Sequence, residues 1–315
     1  MKILITGAGG FVGGHLIDHL AAQGDRVCGA DFQPPNHPAL EKSLALDVTD
    51  ARAVAAVLAE TVVDAVIHLA AVTFVPDAED DPTRAIAVNV GGTANLLHAL
   101  KAHRPQARLL LISTAEVYGA PEPERLPLTE NSSVRPVNVY ATTKWLAEEY
   151  ARFARGRFGL DILVARPFTH VGPRQRPVFA LSSFAQQIAA IAAGKQEPVI
   201  HVGNLQARRD ILDVRDVVRA YRLALQTLPA GAVFNICRGE AREIGDLLAE
   251  LIRLSGKDIE VRVDPHRLRQ LDIPALRGSA EYLRQATGWR PEISWRKTLD
   301  DLRLYWTFDA ETDKA

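Results

Sequence analysis

The sequence predicts an α/β protein, a doubly wound parallel sheet followed by a smaller C-terminal lobe. Three observations lead to it. Over the first half of the chain, short apolar runs of strand length alternate with helical stretches. A glycine-rich turn falls between the first of these runs and the first helix. Beyond Arg166, proline and arginine become frequent, as in Gly172-Pro173-Arg174 and Arg176-Pro177, and the alternation is lost.

Taken in order, residues 2–6 (Lys-Ile-Leu-Ile-Thr) form a buried strand. Residues 14–22 form a helix with Leu16, Ile17 and Leu20 on one face. Strands are expected at 26–30, 65–69, 108–113 and 161–165, with helices near 51–60, 85–103 and 139–158 between them. Strands separated by helices are βαβ units, and these require a parallel sheet covered on both faces. Residues 1–167 therefore make the first unit. Segments near 211–237 are expected to return to it, through runs at 211–218 and 233–236. Residues 168–210 and 238–315 make a substrate-binding lobe.

Composition narrows the classes of partner. The chain has 315 residues, enough to bury a full core, with 47% hydrophobic and 24% charged residues and a formal net charge of -1. That balance gives no long-range field for nucleic acid or an anionic membrane. An anionic substrate must be held by local arginines and backbone amides. Two cysteines, Cys28 and Cys237, are too few for a disulfide framework and read as buried thiols, and no Cys-x-x-Cys pair suggests a metal. No apolar run reaches ~18 residues, so no membrane span is expected. The opening Met-Lys-Ile-Leu-Ile-Thr-Gly lacks a secretory apolar core, and a cytoplasmic location is the expectation.

Glycines at 7, 10 and 13 give G-x-x-G-x-x-G between the first strand and the first helix. Residues without a Cβ let backbone amides approach a diphosphate at a helix N-terminus, and the last glycine lets helix and strand pack closely. This is the dinucleotide turn of a Rossmann-type sheet, formed by Gly7, Gly10, Phe11, Val12 and Gly13. Asp31, at the end of the second strand, is placed to bond an adenosine ribose 2′-hydroxyl and would repel a 2′-phosphate. The cofactor is thus NAD(P)H, with NADH favoured.

Tyr140 and Lys144 stand at i and i+4, on one helix face. An ordinary tyrosine titrates at ~10. A neighbouring ammonium and an oxidised nicotinamide are expected to lower that value, so that the phenol exchanges a proton near neutral pH. The 108–113 strand ends in Ser113-Thr114-Ala115-Glu116, placing hydroxyls at the carboxyl edge of the sheet, where ligands of such sheets bind. Thr114 can share the reacting oxygen with Tyr140. Ser113 either joins the site or caps the strand end.

Together, the glycine turn, Asp47-Val48, His68-Leu69-Ala70-Ala71, Asn89, the 113–119 stretch and Tyr140/Lys144 resemble the extended short-chain dehydrogenase/reductase (NAD-dependent epimerase/dehydratase) family over nearly the whole chain. The resemblance implies a Thr114/Tyr140/Lys144 triad, with Lys144 also holding the nicotinamide ribose. It implies adenine contacts from Asp47 and Val48, and cofactor-lining roles for Leu69, Ala70, Ala71, Asn89 and Pro167. It further implies a homodimer through the helices near 85–103 and 139–158.

Residues 202–210 (Val-Gly-Asn-Leu-Gln-Ala-Arg-Arg-Asp) resemble the stretch used in GDP-sugar conversion. The wider run from Arg166 to Asp216, with Asp272-Ile273-Pro274 and Gly288-Trp289-Arg290-Pro291, looks most like the branch that reduces the C4 ketone of GDP-4-keto-6-deoxy-D-mannose. The implied product is GDP-D-rhamnose, the implied partner a GDP-linked sugar, and the implied contacts Thr169, Lys195 and Asn204. A diphosphate needs cationic forks: Arg209 first, Arg269 or Arg267 second, with Asp210 or Asp213 as Arg209's structural alternatives. His170 reads as a packed loop histidine. Thr169 stands where the family usually has asparagine, and Ala115 where one dehydratase subgroup carries an acid. Glu116 remains as a catalytic candidate, a base for removing a C5 proton. It keeps open a second reading, a dehydratase or 4-epimerase with tightly held NAD.

Overall fold

The computed structural model describes residues 1–268 and 273–312. The order runs β1 (Lys2–Thr6), α1 (Phe11–Ala22), β2 (Arg26–Asp31), β3 (Leu40–Ala45), α2 (Ala51–Glu60), β4 (Ala65–His68), α3 (Val75–Asp80) and α4 (Pro82–Ile86). It continues with α5 (Gly92–His103), β5 (Arg108–Ile112), α6 (Val139–Phe158), β6 (Ile162–Pro167), β7 (Thr169–Val171), α7 (Ala180–Ala192), β8 (Val199–Val202) and β9 (Arg208–Asp213). Then come α8 (Val214–Thr227), β10 (Val233–Ile236), β11 (Ala241–Glu243), α9 (Ile244–Ser255), β12 (Glu260–Val263), β13 (Ala275–Leu276), α10 (Glu281–Thr287) and α11 (Trp295–Thr312).

Seven parallel strands form the main sheet in the order β10-β6-β5-β4-β1-β2-β3. Both faces are covered, which explains why the inner strands are near-continuous apolar runs. Ile3, Ile5, Ile67, Leu110 and Ile112 face a core shared with α1 and α8. Their neighbours Leu4, Val66, Leu109 and Leu111 face α2, α5 and α6. Chain direction across the sheet reverses between β1 and β4, the crevice where such folds bind ligands.

A second core is built from α7, α9 and α11, with Phe184, Ile188, Leu247, Leu251, Leu302 and Trp306 buried together. Its small sheet runs β11-β9-β13, with β7 also paired to β9. The segment near 211–218 therefore adds no strand to the main sheet. Residues 211–213 close β9 in the small sheet, and α8 follows, packing against α1. The 233–236 run does join as β10, beside β6.

Two further differences from the sequence reading have local causes. β3 was not expected, because Leu-Glu-Lys-Ser-Leu-Ala is an exposed edge strand with no apolar run. The helix expected over 85–103 is interrupted by a π-turn at Ala87–Gly91. Asn89, within that turn, is buried. Its Oδ1 accepts from Val72 N at 2.8 Å, and its Nδ2 donates to Val72 O at 3.1 Å and to Thr143 Oγ1 at 2.9 Å. A π-turn of this kind re-aims a side chain. Here it ties the loop after β4 to α6. No helix among the described residues is long and apolar enough to cross a membrane.

Candidate active site

The glycine turn fixes one end of the site. Gly7 has φ +74°, and a Cβ there would lie 2.5 Å from Ala70 N. A Cβ on Gly13 would lie 2.4 Å from Ala8 O. α1 begins at Phe11 with no side chain capping its first turn, so its leading amides are left for an anion. Asp31 Oδ2 accepts from Gly9 N at 2.9 Å and Oδ1 from Phe32 N at 2.7 Å, which clamps the carboxylate beside the turn. A tight backbone cradle, an uncapped helix start and an adjacent fixed carboxylate fit a dinucleotide.

α6 carries Tyr140 and Lys144. Asn138 caps it, its Oδ1 accepting from Ala141 N at 2.7 Å, and left-handed Gly159 ends it. The helix is fastened to β6 by a buried ion pair, Arg166 Nη2 to Glu148 Oε2 at 2.7 Å, and Arg166 also donates to Tyr118 Oη at 3.1 Å. Buried pairs of this type fix geometry more than they stabilise. Tyr140 and Lys144 thus face a cleft of about 1520 Å³ between the main sheet and the second lobe. One small-molecule pocket is roughly 300–1,000 Å³, so the cleft has room for a dinucleotide and a nucleotide sugar together.

Around this cleft the structure gathers Gly7, Gly10, Phe11, Val12, Gly13, Asp31, Asp47, Val48, Leu69, Ala70 and Ala71 from the glycine-turn side. Thr114, Glu116, Tyr140, Lys144 and Pro167 line its middle, and Thr169, Asn204 and Arg209 its far wall. Two expected residues stand outside the wall. Asn89 is the clamp described above. Lys195 lies beyond the last turn of α7, whose first turns (Ala180 to Gln187) are the part that reaches the cleft. Arg269 and Asp272 lie outside the described residues.

Tyr140 stands beside the Thr114 hydroxyl. Burial pushes its phenol above the ordinary tyrosine range, the Glu116 carboxylate pushes it further, and only the Thr114 hydroxyl opposes them. The expected depression of Tyr140 by Lys144 is therefore not found. Lys144 is itself 4% exposed, and burial lowers its ammonium to about 8, against an opposing pull from Glu148. Glu116 Oε2 accepts from Asn138 Nδ2 at 2.9 Å, so one asparagine holds both the start of α6 and the acid. Thr114 Oγ1 accepts from Glu116 N at 3.2 Å and caps the turn after β5. The cap therefore belongs to Thr114 and not to Ser113, whose Oγ is buried without a partner.

On the far wall, Arg209 Nη1 donates to Ile273 O at 2.6 Å and to Arg208 O at 3.1 Å. Its structural alternatives are engaged elsewhere. Asp210 accepts from the amides of Arg238, Gly239 and Gly278, and Asp213 pairs with Arg215. Arg267 also reaches the wall, with Nη1 3.4 Å from Ser183 Oγ. His170 is packed as expected. Its Nδ1 bonds Phe168 O at 2.9 Å and its ring stacks on Phe11 at 6.2 Å, yet it too borders the cleft. Arg84, Arg176 and Tyr221 also border the cleft and were not singled out from the sequence as site residues. They come from loops and helices whose approach to the cleft is set by tertiary packing, with no local motif to mark them. Among the described residues, no cluster of three or more His, Cys, Asp or Glu could hold a metal ion.

Comparison with known proteins agrees with this geometry. A family model described as GDP-mannose 4,6 dehydratase matches residues 4–302. GDP-6-deoxy-D-mannose reductase of Pseudomonas aeruginosa is 37% identical over 305 residues, covering 97% of each chain. GDP-6-deoxy-D-talose 4-dehydrogenase of Aggregatibacter actinomycetemcomitans is 30% identical over 91% of this chain and 92% of its own. Among solved structures, RMD from Pseudomonas aeruginosa complexed with NADPH superposes with a TM-score of 0.87 at 36% identity, over 98% and 99% of the two chains. The Thermus thermophilus UDP-glucose 4-epimerase complexed with NAD gives the same TM-score, 0.87, at 26% identity, over 97% and 99%. The chain belongs to the GDP-mannose 4,6 dehydratase family of extended short-chain dehydrogenase/reductases.

Proposed function

We propose that the protein is an NAD(P)H-dependent reductase of the C4 ketone of a nucleotide-linked 4-keto-6-deoxyhexose, converting GDP-4-keto-6-deoxy-D-mannose to GDP-D-rhamnose. The observation that carries this reading is geometric: Thr114, Tyr140 and Lys144 stand together on the wall of a cleft with room for a dinucleotide and a nucleotide sugar. Reduction of a ketone needs an acid for the oxygen that becomes a hydroxyl. With its diphosphate held by the glycine turn, a reduced dinucleotide would supply the hydride. Tyr140 Oη gives its proton to the C4 oxygen, and Thr114 Oγ1 orients that oxygen. Lys144, charged at neutral pH, sets the local potential that lets Tyr140 release the proton. Arg209 and Arg267 are the guanidinium forks for the diphosphate, joined by Thr169 and Asn204 on the same wall. The 37% identity to a GDP-6-deoxy-D-mannose reductase supports the sugar and the base.

NADH is the favoured cofactor. Asp31 is fixed beside the turn, and the wall next to it (Phe32, Leu46, Asp47, Val48, Thr49) carries no lysine or arginine to neutralise a 2′-phosphate. The NADPH in the Pseudomonas relative makes this a point to measure. Asp31→Ala should raise use of NADPH relative to NADH; equal use of both cofactors before and after the change overturns the assignment. The second reading rests on Glu116, a carboxylate on the cleft wall that acts electrostatically on Tyr140. It is a dehydratase or 4-epimerase that keeps its NAD. Purified protein with GDP-4-keto-6-deoxymannose and NADH separates the two: the reductase consumes reduced-nicotinamide absorbance. No consumption, with water eliminated from GDP-mannose, selects the dehydratase.

The protein is also proposed to act as a homodimer in the cytoplasm. The outer surface of α4 and α6 leaves Ile86, Leu146 and Phe153 at 50%, 44% and 56% exposure, an apolar area that a second copy would cover. Sedimentation that finds only monomer refutes the dimer.

A further inference from the structure

Two hydroxyls on the cleft wall have no partner within the protein. Tyr221, on the buried face of α8, is fully buried among Ile112, Ala165 and Phe234, yet it borders the cleft, and its Oη makes no hydrogen bond. Ser113, which follows the last residue of β5, is 2% exposed, and its Oγ is likewise unpaired. An unpaired buried hydroxyl costs stability that phenylalanine or alanine would not forfeit. The rest of that α8 face is apolar (Val217, Ala220, Ala224), so packing alone calls for a phenylalanine at 221. Tyr221 is near enough to Tyr140 for the two phenols to interact electrostatically. Both orphaned hydroxyls therefore belong to the wall that Thr114, Tyr140 and Lys144 share.

What could satisfy them is constrained by chemistry. Tyr221 belongs to an apolar core cluster with Ile112, Ala165 and Phe234, and a hydroxyl both donates and accepts. A flat ring carrying a primary carboxamide offers one acceptor oxygen and two N–H donors, and its faces suit apolar walls. We propose that Tyr221 is a cofactor-binding residue that hydrogen-bonds the carboxamide of the nicotinamide, with Ser113 as the second hydroxyl. This rests on the cleft being the dinucleotide site. It adds a pair of residues, one of them on a helix outside the glycine turn, that fixes the orientation of the ring against Tyr140.

The test compares NADH with ADP-ribose, which has the same adenosine diphosphate and ribose but no nicotinamide. Affinities of both are measured by calorimetry for wild type, Tyr221→Phe and Ser113→Ala, together with the melting temperature of each protein without cofactor. The expected result is NADH binding weakened about fivefold in each variant, the loss of one neutral hydrogen bond, with ADP-ribose affinity unchanged. The melting temperature of Tyr221→Phe should stay level or rise, since the hydroxyl it loses has no partner. Unchanged NADH affinity in both variants overturns the proposal. So does an equal loss for NADH and ADP-ribose with a lowered melting temperature, which marks a structural hydroxyl. Wild type that binds neither ligand overturns the cofactor reading as well, a result distinct from either.

Discussion

Glu116→Gln distinguishes the two chemistries this site could host. Glu116 Oε2 accepts from Asn138 Nδ2 at 2.9 Å, and Asn138 Oδ1 in turn caps α6. Glutamine keeps an acceptor for that asparagine, so the start of α6 should survive the change. What disappears is the negative charge that helps hold the Tyr140 phenol above its ordinary range. In a reductase no base is required of Glu116. Its loss makes Tyr140 more acidic, so reductive turnover should survive while the alkaline limb of the profile moves down. In a dehydratase the same substitution removes the group that takes the C5 proton, a loss of about 10²–10⁴-fold, or about 3–5 kcal/mol of barrier. Initial rates of NADH consumption with GDP-4-keto-6-deoxymannose, measured from neutral to alkaline pH, give the first number. Water elimination from GDP-mannose gives the second. A fall of about a hundredfold or more in reductive turnover, with the fold intact by circular dichroism, would refute the purely electrostatic role given to Glu116 here.

Tyr140→Phe keeps the ring and loses the hydroxyl beside Thr114, so turnover should fall by about 10²–10⁴-fold while cofactor affinity holds; undiminished turnover in a folded variant contradicts the acid assignment. Because burial places the Lys144 ammonium at about 8, activity should decline as pH rises through that value and Lys144 discharges; a profile level well above it contradicts the role of that charge. His68 is completely buried, with Nδ1 2.6 Å from Thr6 Oγ1, and burial together with Lys144 lowers its imidazole to about 3. The unfolded chain therefore binds more protons than the folded one between ~6.5 and that value. This contribution is complete above the unfolded pKa and is lost as pH falls, by about 2 kcal/mol at pH ~5. Chemical denaturation of wild type and His68→Gln should show a flatter acid slope in the variant; identical slopes reject the explanation.

What the sequence reveals follows the range of the forces involved. The inner strands, the glycine turn and Tyr140/Lys144 are written in adjacent residues: β4 and β6 are buried at every position because both faces of the sheet are covered, and residues 65–67 and 162–165 in them are apolar. β3 is hidden because an edge strand has little to bury, and Leu-Glu-Lys-Ser-Leu-Ala reads as a loop. The π-turn at Ala87–Gly91 is hidden because its cause, the clamp from Asn89 to Val72 and Thr143, joins residues 17 and 54 positions apart. The far wall is the least legible. Arg209 carries a recognisable sequence context. Arg84, Arg176 and Tyr221 have only a place in the fold.

The same limit explains the reversed shift at Tyr140. Helical spacing shows that a phenol and an ammonium share a face, and from that alone the cation should lower the phenol. Folding adds two things the spacing does not contain. It withdraws both groups from water, which raises a phenol and lowers an ammonium together. It also brings Glu116, from the turn after β5, toward Tyr140. Desolvation then outweighs the neighbouring charge, and the resting site holds a neutral phenol beside a lysine close to discharge. That state suits the reducing direction, in which the first demand on Tyr140 is to give a proton. Ultraviolet difference titration of Tyr140 with and without bound NADH measures that balance; a phenol that titrates below its ordinary range in the free protein would refute the dominance of desolvation.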